Sequence, residues 1–197
     1  MSRLVVTNSV TLDGVMQSPS HPGEDTRGGF ERGGWQPPYV DSVMGEVMGR
    51  GIAKGGSLLF GRRTYEQFAT FWPHQGADNP YAAVLNERTK YVASTTLSDP
   101  LPWQNSVLLE GDAMEAVARL KEQPGGDLVV LGSGELAQSL LRHGLVDELV
   151  LSIHPLVLGS GRRLFPDGGA PAELQLVECV TTTTGVMIAT YQGGSSR

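Results

Sequence analysis

Residues 128–137, LVVLGSGELA, are four apolar residues, a glycine turn and the start of a helical pattern. Residues 132–137 match the Gly-x-Gly-x-x-Gly/Ala pattern, which places a pyrophosphate at a helix N-terminus when it follows a strand. Two features argue against an ordinary Rossmann dinucleotide-binding motif. The pattern lies late in the chain, and Ser152 stands where a ribose-binding acid is expected, about 20 residues further on. A tight strand-to-helix turn is the alternative interpretation.

Outward from this point, strands and helices alternate up to about residue 144, and strands dominate afterwards. Alternation indicates a mostly parallel sheet covered on both faces, and a final hairpin adds an antiparallel edge. The sequence therefore predicts an α/β fold with about eight strands and four main helices. The predicted strands span residues 4–12, 57–60, 90–93, 106–109, 128–131, 147–154, 174–180 and 186–191. The predicted helices span 41–54, 65–71, 112–123 and 135–143, with a short one at 80–88.

The composition indicates one globular domain without a nucleic-acid or membrane signal. The 197 residues are 40% hydrophobic and 18% charged, and the formal net charge is −6. A net negative charge is unlike the positive charge of domains that bind nucleic acid. No apolar run reaches the roughly 20 residues that span a bilayer. Cys179 is the single cysteine, which excludes an internal disulfide and a cysteine zinc cluster. We expect a cytoplasmic protein with one domain over residues 1–192, a flexible tail at 193–197 and no metal site.

Two other turns follow predicted strands in the same way. Residues 61–64, GRRT, open a helix, and arginines at a helix start favour a phosphate ligand. A solvated basic turn capped by Thr64 is the alternative. Residues 94–96, STT, end another strand, where hydroxyls either hold a sugar phosphate or cap a turn. Because the carboxyl ends of parallel strands share one edge of the sheet, the three turns are expected to lie together.

A long polar segment, residues 17–38, precedes the first predicted helix. Loops of this length in compact domains are often lids or binding loops, and a disordered insertion is the alternative. Phe30, Trp35 and Tyr39 favour a segment that packs on the rest of the protein. Asp41 is expected to cap the helix that follows.

Taken in order with three further motifs, these turns resemble the dihydrofolate reductase-like superfamily. Within it they are similar to the bacterial branch related to the reductase domain of riboflavin biosynthesis, over nearly the whole chain. The resemblance implies a three-layer αβα sandwich with a mostly parallel eight-stranded sheet, and NADPH as the hydride donor. The motifs are SVTLDG at 9–14, GRRTYE at 61–66, GSG at 132–134, HPLVLGSG at 154–161 and LFP at 164–166.

The resemblance also implies which residues contact NADPH. Residues 10–12 would line the nicotinamide pocket, 61–64 and 132–136 would bind phosphates, and 94–95 would contact the adenosine 2′-phosphate. The absence of an acid that would bind the ribose is consistent with NADPH, because proteins that select NADP bind its 2′-phosphate with cationic side chains. The predicted cofactor residues are Val10, Thr11, Leu12, Gly61, Arg62, Arg63, Thr64, Ser94, Thr95, Gly132, Ser133, Gly134, Glu135 and Leu136.

The proton that accompanies hydride transfer has two predicted sources. Residues 35–41 are similar to the dihydrofolate reductase segment that ends in its pterin-binding acid, with one residue more, which makes Asp41 a candidate. Asp13 resembles the Leu-Asp-Gly acid of the riboflavin branch and is the other candidate. A helix N-cap and an Asp-Gly turn are the respective alternatives. Trp35 and Asp41 are the predicted substrate contacts.

The sequence thus predicts an NADPH-dependent reductase of a small heterocyclic or carbonyl compound. A pterin or a ribosylaminopyrimidine is implied by the family resemblance alone. One alternative is a non-catalytic NADP(H)- or ligand-binding protein that lacks a working proton donor. Another is a flavin- or nucleotide-binding module that uses the same glycines. A homodimer through the late strands is expected by analogy with the riboflavin branch.

Overall fold

The computed structural model describes residues 1–76, 79–169 and 171–193. These residues form eight strands, five α-helices and three short 3-10 turns. The strands are β1 (Leu4–Thr11), β2 (Gly55–Gly61), β3 (Lys90–Ala93), β4 (Ser106–Leu108), β5 (Asp127–Leu131), β6 (Glu148–His154), β7 (Leu174–Thr181) and β8 (Met187–Gly193). The helices are α1 (Ser42–Lys54), α2 (Arg62–Phe71), α3 (Pro80–Glu87), α4 (Ala113–Glu122) and α5 (Gly134–Arg142).

The eight strands form one sheet in the order β4-β3-β2-β5-β1-β6-β8-β7. The strands from β4 to β6 run parallel, whereas β8 is antiparallel to β6 and β7 is antiparallel to β8. The predicted mostly parallel sheet with an antiparallel C-terminal edge is confirmed. Because the parallel strands all point the same way, the loops after β1, β2, β3, β5 and β6 leave from one edge of the sheet, which we call the carboxyl edge.

Helices cover both faces of this sheet, as the αβα prediction requires. On one face, α4 and α5 pack through the buried side chains of Val117 and Leu140. On the other face, Tyr65 of α2 and Leu85 of α3 pack on β2, β3 and β5, while Met44 of α1 packs on β8. Central strands covered on both sides must be apolar at successive positions. This is why they are visible in the sequence as continuous apolar runs.

Two elements begin two or more residues before their predicted start. The helix α2 begins at Arg62 rather than at Tyr65, because Gly61 is still extended (φ −78°, ψ 158°) and the chain turns directly from β2 into the helix. The strand β2 begins before residue 57, and Gly56 fits closely against Gly126, the residue before β5. A Cβ atom on Gly56 would lie 2.9 Å from the Cα atom of Gly126. Glycine therefore continues this strand where the sequence predicted a helix end.

Some expectations concern features outside the sheet. Gly193 is the last residue of β8, and residues 194–197 of the predicted tail lie outside the described residues. The domain boundary at 192 stays a prediction. None of the described helices is long and apolar enough to cross a membrane. Within the same residues there is no group of three or more His, Cys, Asp or Glu side chains that could hold a metal ion.

Candidate active site

The turns after β2 and β5 meet at the carboxyl edge and are bonded to each other. The Gly61 N–H donates to Ser133 Oγ over 3.0 Å, and the Ser133 N–H donates to Thr64 Oγ1 over 3.1 Å. We call residues 61–64 and 132–136 together the cradle. The prediction that these two turns lie side by side is confirmed. The hydroxyl groups of Ser133 and Thr64 hold the turns against each other.

Two helices begin in the cradle without a side-chain cap. Gly61 precedes α2 and Ser133 precedes α5, and neither caps its helix through a side-chain hydrogen bond. Ser133 lies in the left-handed region, at φ 51° and ψ 51°, which turns the chain sharply from β5 into α5. The first N–H groups of a helix need acceptors, and the helix dipole favours negative charge there. A phosphate suits two such helix starts side by side.

Three arginines converge on the carboxylate of Glu135 at the start of α5. Arg27 Nη1 and Arg162 Nη1 lie 2.7 Å and 2.9 Å from Glu135 Oε1, and Arg63 Nη1 lies 3.2 Å from Oε2. The hydrogen bond from Arg27 is the main cause that holds the pKa of Glu135 below its usual range. Asp25 also pairs with Arg27. Three guanidinium groups therefore face two carboxylates, which leaves positive charge in excess beside the cradle.

Sequence analysis did not identify Arg27 and Arg162 as site residues. Arg27 lies within the polar segment 17–38, whose local sequence has no motif for an anion site. Arg162 directly follows the motif at 154–161, and this position next to a motif was the one feature of the sequence that could have marked it as a site residue. Both guanidinium groups reach the cradle only because the fold brings distant loops to the carboxyl edge.

The two glycines of the β5–α5 turn are required for different reasons. Gly132 has a positive φ of 62°, a conformation that side chains other than glycine rarely adopt. Gly134 allows close packing, because a Cβ atom there would overlap the thioether of Met16. Met16 thus packs on the start of α5 through the flexible end of its side chain.

Room for a ligand lies beside the cradle, in two adjoining cavities. One has a volume of about 330 Å³ and is lined in part by Met16 and Glu135. The other has a volume of about 340 Å³ and is lined in part by Arg27. Gly161 and Arg162 line both cavities. Arg27 and Arg162 therefore border open space at the carboxyl edge.

The third predicted turn lies next to the cradle, because β3 pairs with β2 up to its last residue. Its hydroxyl group caps the turn: Ser94 Oγ accepts the N–H groups of Thr96 and Leu97 over 3.1 Å and 3.0 Å. The turn-capping alternative is confirmed for Ser94, whereas Thr95 is exposed. Contact of either residue with a 2′-phosphate stays a prediction.

The end of β1 presents mostly backbone to the carboxyl edge. Val10 is buried in the core. Thr11 Oγ1 donates to Asp13 Oδ1 over 2.6 Å and accepts the Val15 N–H over 3.0 Å. Leu12 is 57% exposed. The predicted nicotinamide contacts of these three residues stay a prediction, and the side chain of Val10 is covered by the core.

Asp13 ties the loop after β6 to the end of β1. Its Oδ1 accepts the Thr11 hydroxyl and the Leu158 N–H over 2.6 Å and 3.2 Å, and its Oδ2 accepts the Gly159 N–H over 2.8 Å. Desolvation acts to raise the pKa of Asp13, but these hydrogen bonds outweigh it and lower the pKa below its ordinary value. The group is a bonded carboxylate at neutral pH, and its role as proton source stays a prediction.

Asp41 is the N-cap of α1. Its Oδ1 accepts the Met44 N–H over 2.8 Å, and its Oδ2 accepts the hydroxyl and the N–H of Thr183 over 2.6 Å and 2.7 Å. The Thr183 hydroxyl is the main cause that holds the pKa of Asp41 below its usual range. The N-cap alternative is confirmed, and the catalytic and substrate-binding roles stay predictions.

An aromatic cluster lies at the end of β6. Trp35 and Tyr39 meet the imidazole of His154 edge to face, with ring centroids 5.0 Å and 5.6 Å away. Gln36 Nε2 donates to Ser9 Oγ on β1 over 3.0 Å. The long polar segment therefore packs on the carboxyl edge, as its aromatic residues indicated. His154 was part of a motif of the resemblance and was not predicted from the sequence as a site residue.

A sheet of this order, with helices on both faces and an antiparallel hairpin at one edge, is the dihydrofolate reductase-like fold. The model of the family described as the RibD C-terminal domain matches residues 2–188. The chain belongs to this family.

Relatives and solved structures agree with this assignment. The uncharacterized protein YyaP of Bacillus subtilis (strain 168) is 30% identical over 138 residues, which are 68% of this chain and 72% of that protein. A protein of Shewanella sp. PV-4 named for riboflavin biosynthesis has a TM-score of 0.69 at 21% identity and covers 99% of this chain and 100% of its own. RibD of Acinetobacter baumannii has a TM-score of 0.62 at 14% identity, and the match covers 98% of this chain and 58% of that one.

Proposed function

We propose that this protein is an NADPH-dependent reductase that transfers a hydride to a small heterocyclic or carbonyl compound. The cradle carries the proposal, because two uncapped helix starts and an excess of arginines lie together where ligands of α/β sheets bind. Membership of the RibD C-terminal family supports a reductase-like enzyme. NADPH, when bound, supplies the hydride.

The residues at the carboxyl edge fit the phosphates of this cofactor. In the proposal, the first N–H groups of α2 and α5 and the guanidinium group of Arg63 hold the pyrophosphate. Arg62 is the first residue of α2, directly after β2, and pairs with Glu66 at 3.5 Å. The strand β3, which leads into the third turn, is the neighbour of β2. We assign the adenosine 2′-phosphate to Arg62 together with Ser94 and Thr95. The backbone at the end of β1 then faces the nicotinamide.

Arg62→Ala should weaken NADPH binding by about 10- to 100-fold, the loss expected for a hydrogen bond to a charged group. NADH binding should change less, because NADH lacks the 2′-phosphate. Fluorescence titration with both cofactors measures the two affinities. Arg119→Ala is the matched control, since Arg119 forms a similar ion pair with Glu115 on α4. Equal affinity of the wild type for NADPH and NADH would contradict the proposal.

Asp41→Asn and Asp13→Asn test the source of the proton. We propose that both residues position loops, because their oxygens are already bonded. Each variant should then retain kcat within about tenfold, whereas loss of a proton donor costs about 10²- to 10⁴-fold. The assay is NADPH oxidation with dihydrofolate and a panel of carbonyl compounds. Asp112→Asn controls for capping, because Asp112 caps α4 in the same way.

A larger loss of kcat in either variant, at unchanged NADPH affinity, would support proton delivery by that carboxylate. NADPH binding without turnover of any compound in the panel would instead favour the non-catalytic NADP(H)-binding alternative. These two outcomes are separable because binding and turnover are measured on the same protein.

The edge strand β7 is the surface that we propose for a homodimer. Leu174, Leu176 and Val177 are 38%, 52% and 53% exposed. An exposed apolar edge strand invites pairing with another chain, and antiparallel pairing of β7 with itself satisfies a twofold axis. Leu176→Lys should therefore produce monomers in sedimentation velocity. Val107→Lys, on the opposite edge strand β4, should not, and a monomeric wild type would overturn this proposal.

A further inference from the structure

The imidazole of His154 is fully buried at the end of β6. Its Nδ1 lies 3.0 Å from the carbonyl oxygen of Ser152 and 3.3 Å from that of Val10. Carbonyl oxygens accept hydrogen bonds and cannot donate them, so Nδ1 must carry a proton. Burial lowers the pKa of His154, which keeps the ring neutral at pH 7. The other ring nitrogen, Nε2, therefore presents a lone pair.

This lone pair has no donor among the residues that the structure describes. Nε2 of His154 is buried and makes no hydrogen bond to them. Buried polar atoms are nearly always bonded, and an exception requires a reason. The rings of Trp35 and Tyr39 lie against the imidazole. Both belong to the segment that leads into α1, and a ligand can reach the buried ring only if side chains packed on it, such as these two, move.

The position of His154 connects it with the proposed reaction. His154 pairs with Thr11 across β6 and β1, and the backbone at this end of β1 faces the nicotinamide in the proposed function. Ser9 and Ser152 pair one step earlier along the same two strands. The imidazole therefore lies at the carboxyl edge, beside the end of β1 that faces the nicotinamide in the proposed function.

We propose that His154 binds the substrate and sets its class: Nε2 accepts a hydrogen bond from a ring N–H of the compound that is reduced. This inference rests on the proposed function and narrows it to heterocycles that carry an N–H group. Simple aldehydes and ketones offer only acceptors to this lone pair. The same lone pair repels the oxygens of a phosphate. A metal ligand role is not supported either, because the described residues provide no group of three His, Cys, Asp or Glu side chains that could hold a metal ion.

The test uses the whole protein labelled with ¹⁵N-histidine and two related heterocycles. Lumazine has ring N–H groups, and 1,3-dimethyllumazine has methyl groups in their place. NMR of the free protein should show His154 as the neutral Nδ1–H form. Lumazine, added with and without NADP⁺, should shift the Nε2 resonance, and the dimethyl compound should not. A charged ring, an Nε2–H form or equal responses to both compounds would overturn the inference.

His154→Asn provides a second measurement. The amide N–H of asparagine can still donate to the two carbonyl oxygens, but the acceptor at Nε2 is lost. Lumazine affinity should fall about tenfold, the effect of one hydrogen bond, while 1,3-dimethyllumazine affinity stays the same. His143→Asn is the control, because exposed His143 has a similar Nδ1 contact with the Ser139 carbonyl at 2.8 Å.

Failure of this inference can be separated from failure of the proposed function. If NADPH does not bind, the reductase proposal fails, and the lumazine response without cofactor still tests His154. If NADPH binds and is oxidised but neither lumazine nor dihydrofolate shifts the Nε2 resonance, the role of His154 is overturned. Unchanged lumazine affinity in His154→Asn would overturn it as well.

Discussion

Lys90→Met should lower the free energy of unfolding by about 3 kcal/mol, one of the largest effects expected from a single substitution in this protein. The fully buried Nζ of Lys90 donates to the carbonyl oxygens of Leu85, Asn86 and Arg88 over 2.8 Å, 3.1 Å and 2.6 Å. These carbonyls end α3, where helix C=O groups have no partners within the helix. Methionine fills a similar volume but leaves buried acceptors without their donor.

Chemical denaturation measures this loss, and Lys54→Met is the matched control. Lys54 is exposed in the last turn of α1, so its replacement should change stability by no more than about 0.5 kcal/mol. Lys90 Nζ also lies 4.5 Å from the centroid of the Trp103 ring, so tryptophan fluorescence reports directly on this region. Similar small losses for both variants would show that other donors satisfy the carbonyls.

Lys90 should also leave a signature in the pH dependence of stability. Burial lowers the pKa of Lys90 from 10.5 to about 8. Between these values the unfolded lysine binds more protons than the folded one, so this group makes stability rise with pH. The stability difference between wild type and Lys90→Met should therefore grow from about pH 8 to pH 10.5 and be flat below pH 8. A flat difference over this window would show that the three carbonyls keep the ammonium group charged.

Gly161→Ala should cost about 4 kcal/mol, through backbone strain and steric overlap together. Gly161 has a φ of 123°, and a Cβ atom there would lie 2.7 Å from Val15 Cγ1 and 2.8 Å from Phe30 Cε2. Val15 and Phe30 are both buried, so neither can move away easily. NADPH affinity should also fall, because the neighbouring Arg162 belongs to the group of arginines beside the cradle.

Gly159→Ala separates the steric effect from the backbone effect. Gly159 also has a positive φ, of 76°, but no atom lies within 4 Å of its Cβ position. Its replacement should cost about 1 kcal/mol, the penalty for a side chain in the left-handed region. Thermal and chemical denaturation compare the two variants. Equal losses would show that contact with Val15 and Phe30 does not determine the conformation of this loop.

Much of this fold could be predicted from local sequence. The apolar run at 128–131, the glycine turn after it and the cap at Asp41 act within a few residues, and the structure confirms each of them. The place of the cradle also followed from sequence. Parallel strands send their loops to one edge, so motifs at strand ends can be brought together without knowledge of any side-chain contact.

The tertiary structure decided how the site residues are used. Arg27 meets Glu135 across 108 positions of the chain, and Asp41 meets Thr183 across 142, so no local pattern could reveal these pairs. The role proposed for the Nε2 lone pair of His154 depends on two carbonyl oxygens that fix the proton on Nδ1 and on two aromatic rings that lie against the imidazole. Sequence determined the strands, the helices and the edge where they converge, because apolar spacing, caps and turns act over short distances. Charge pairing and burial act through space, and only the folded chain sets those distances.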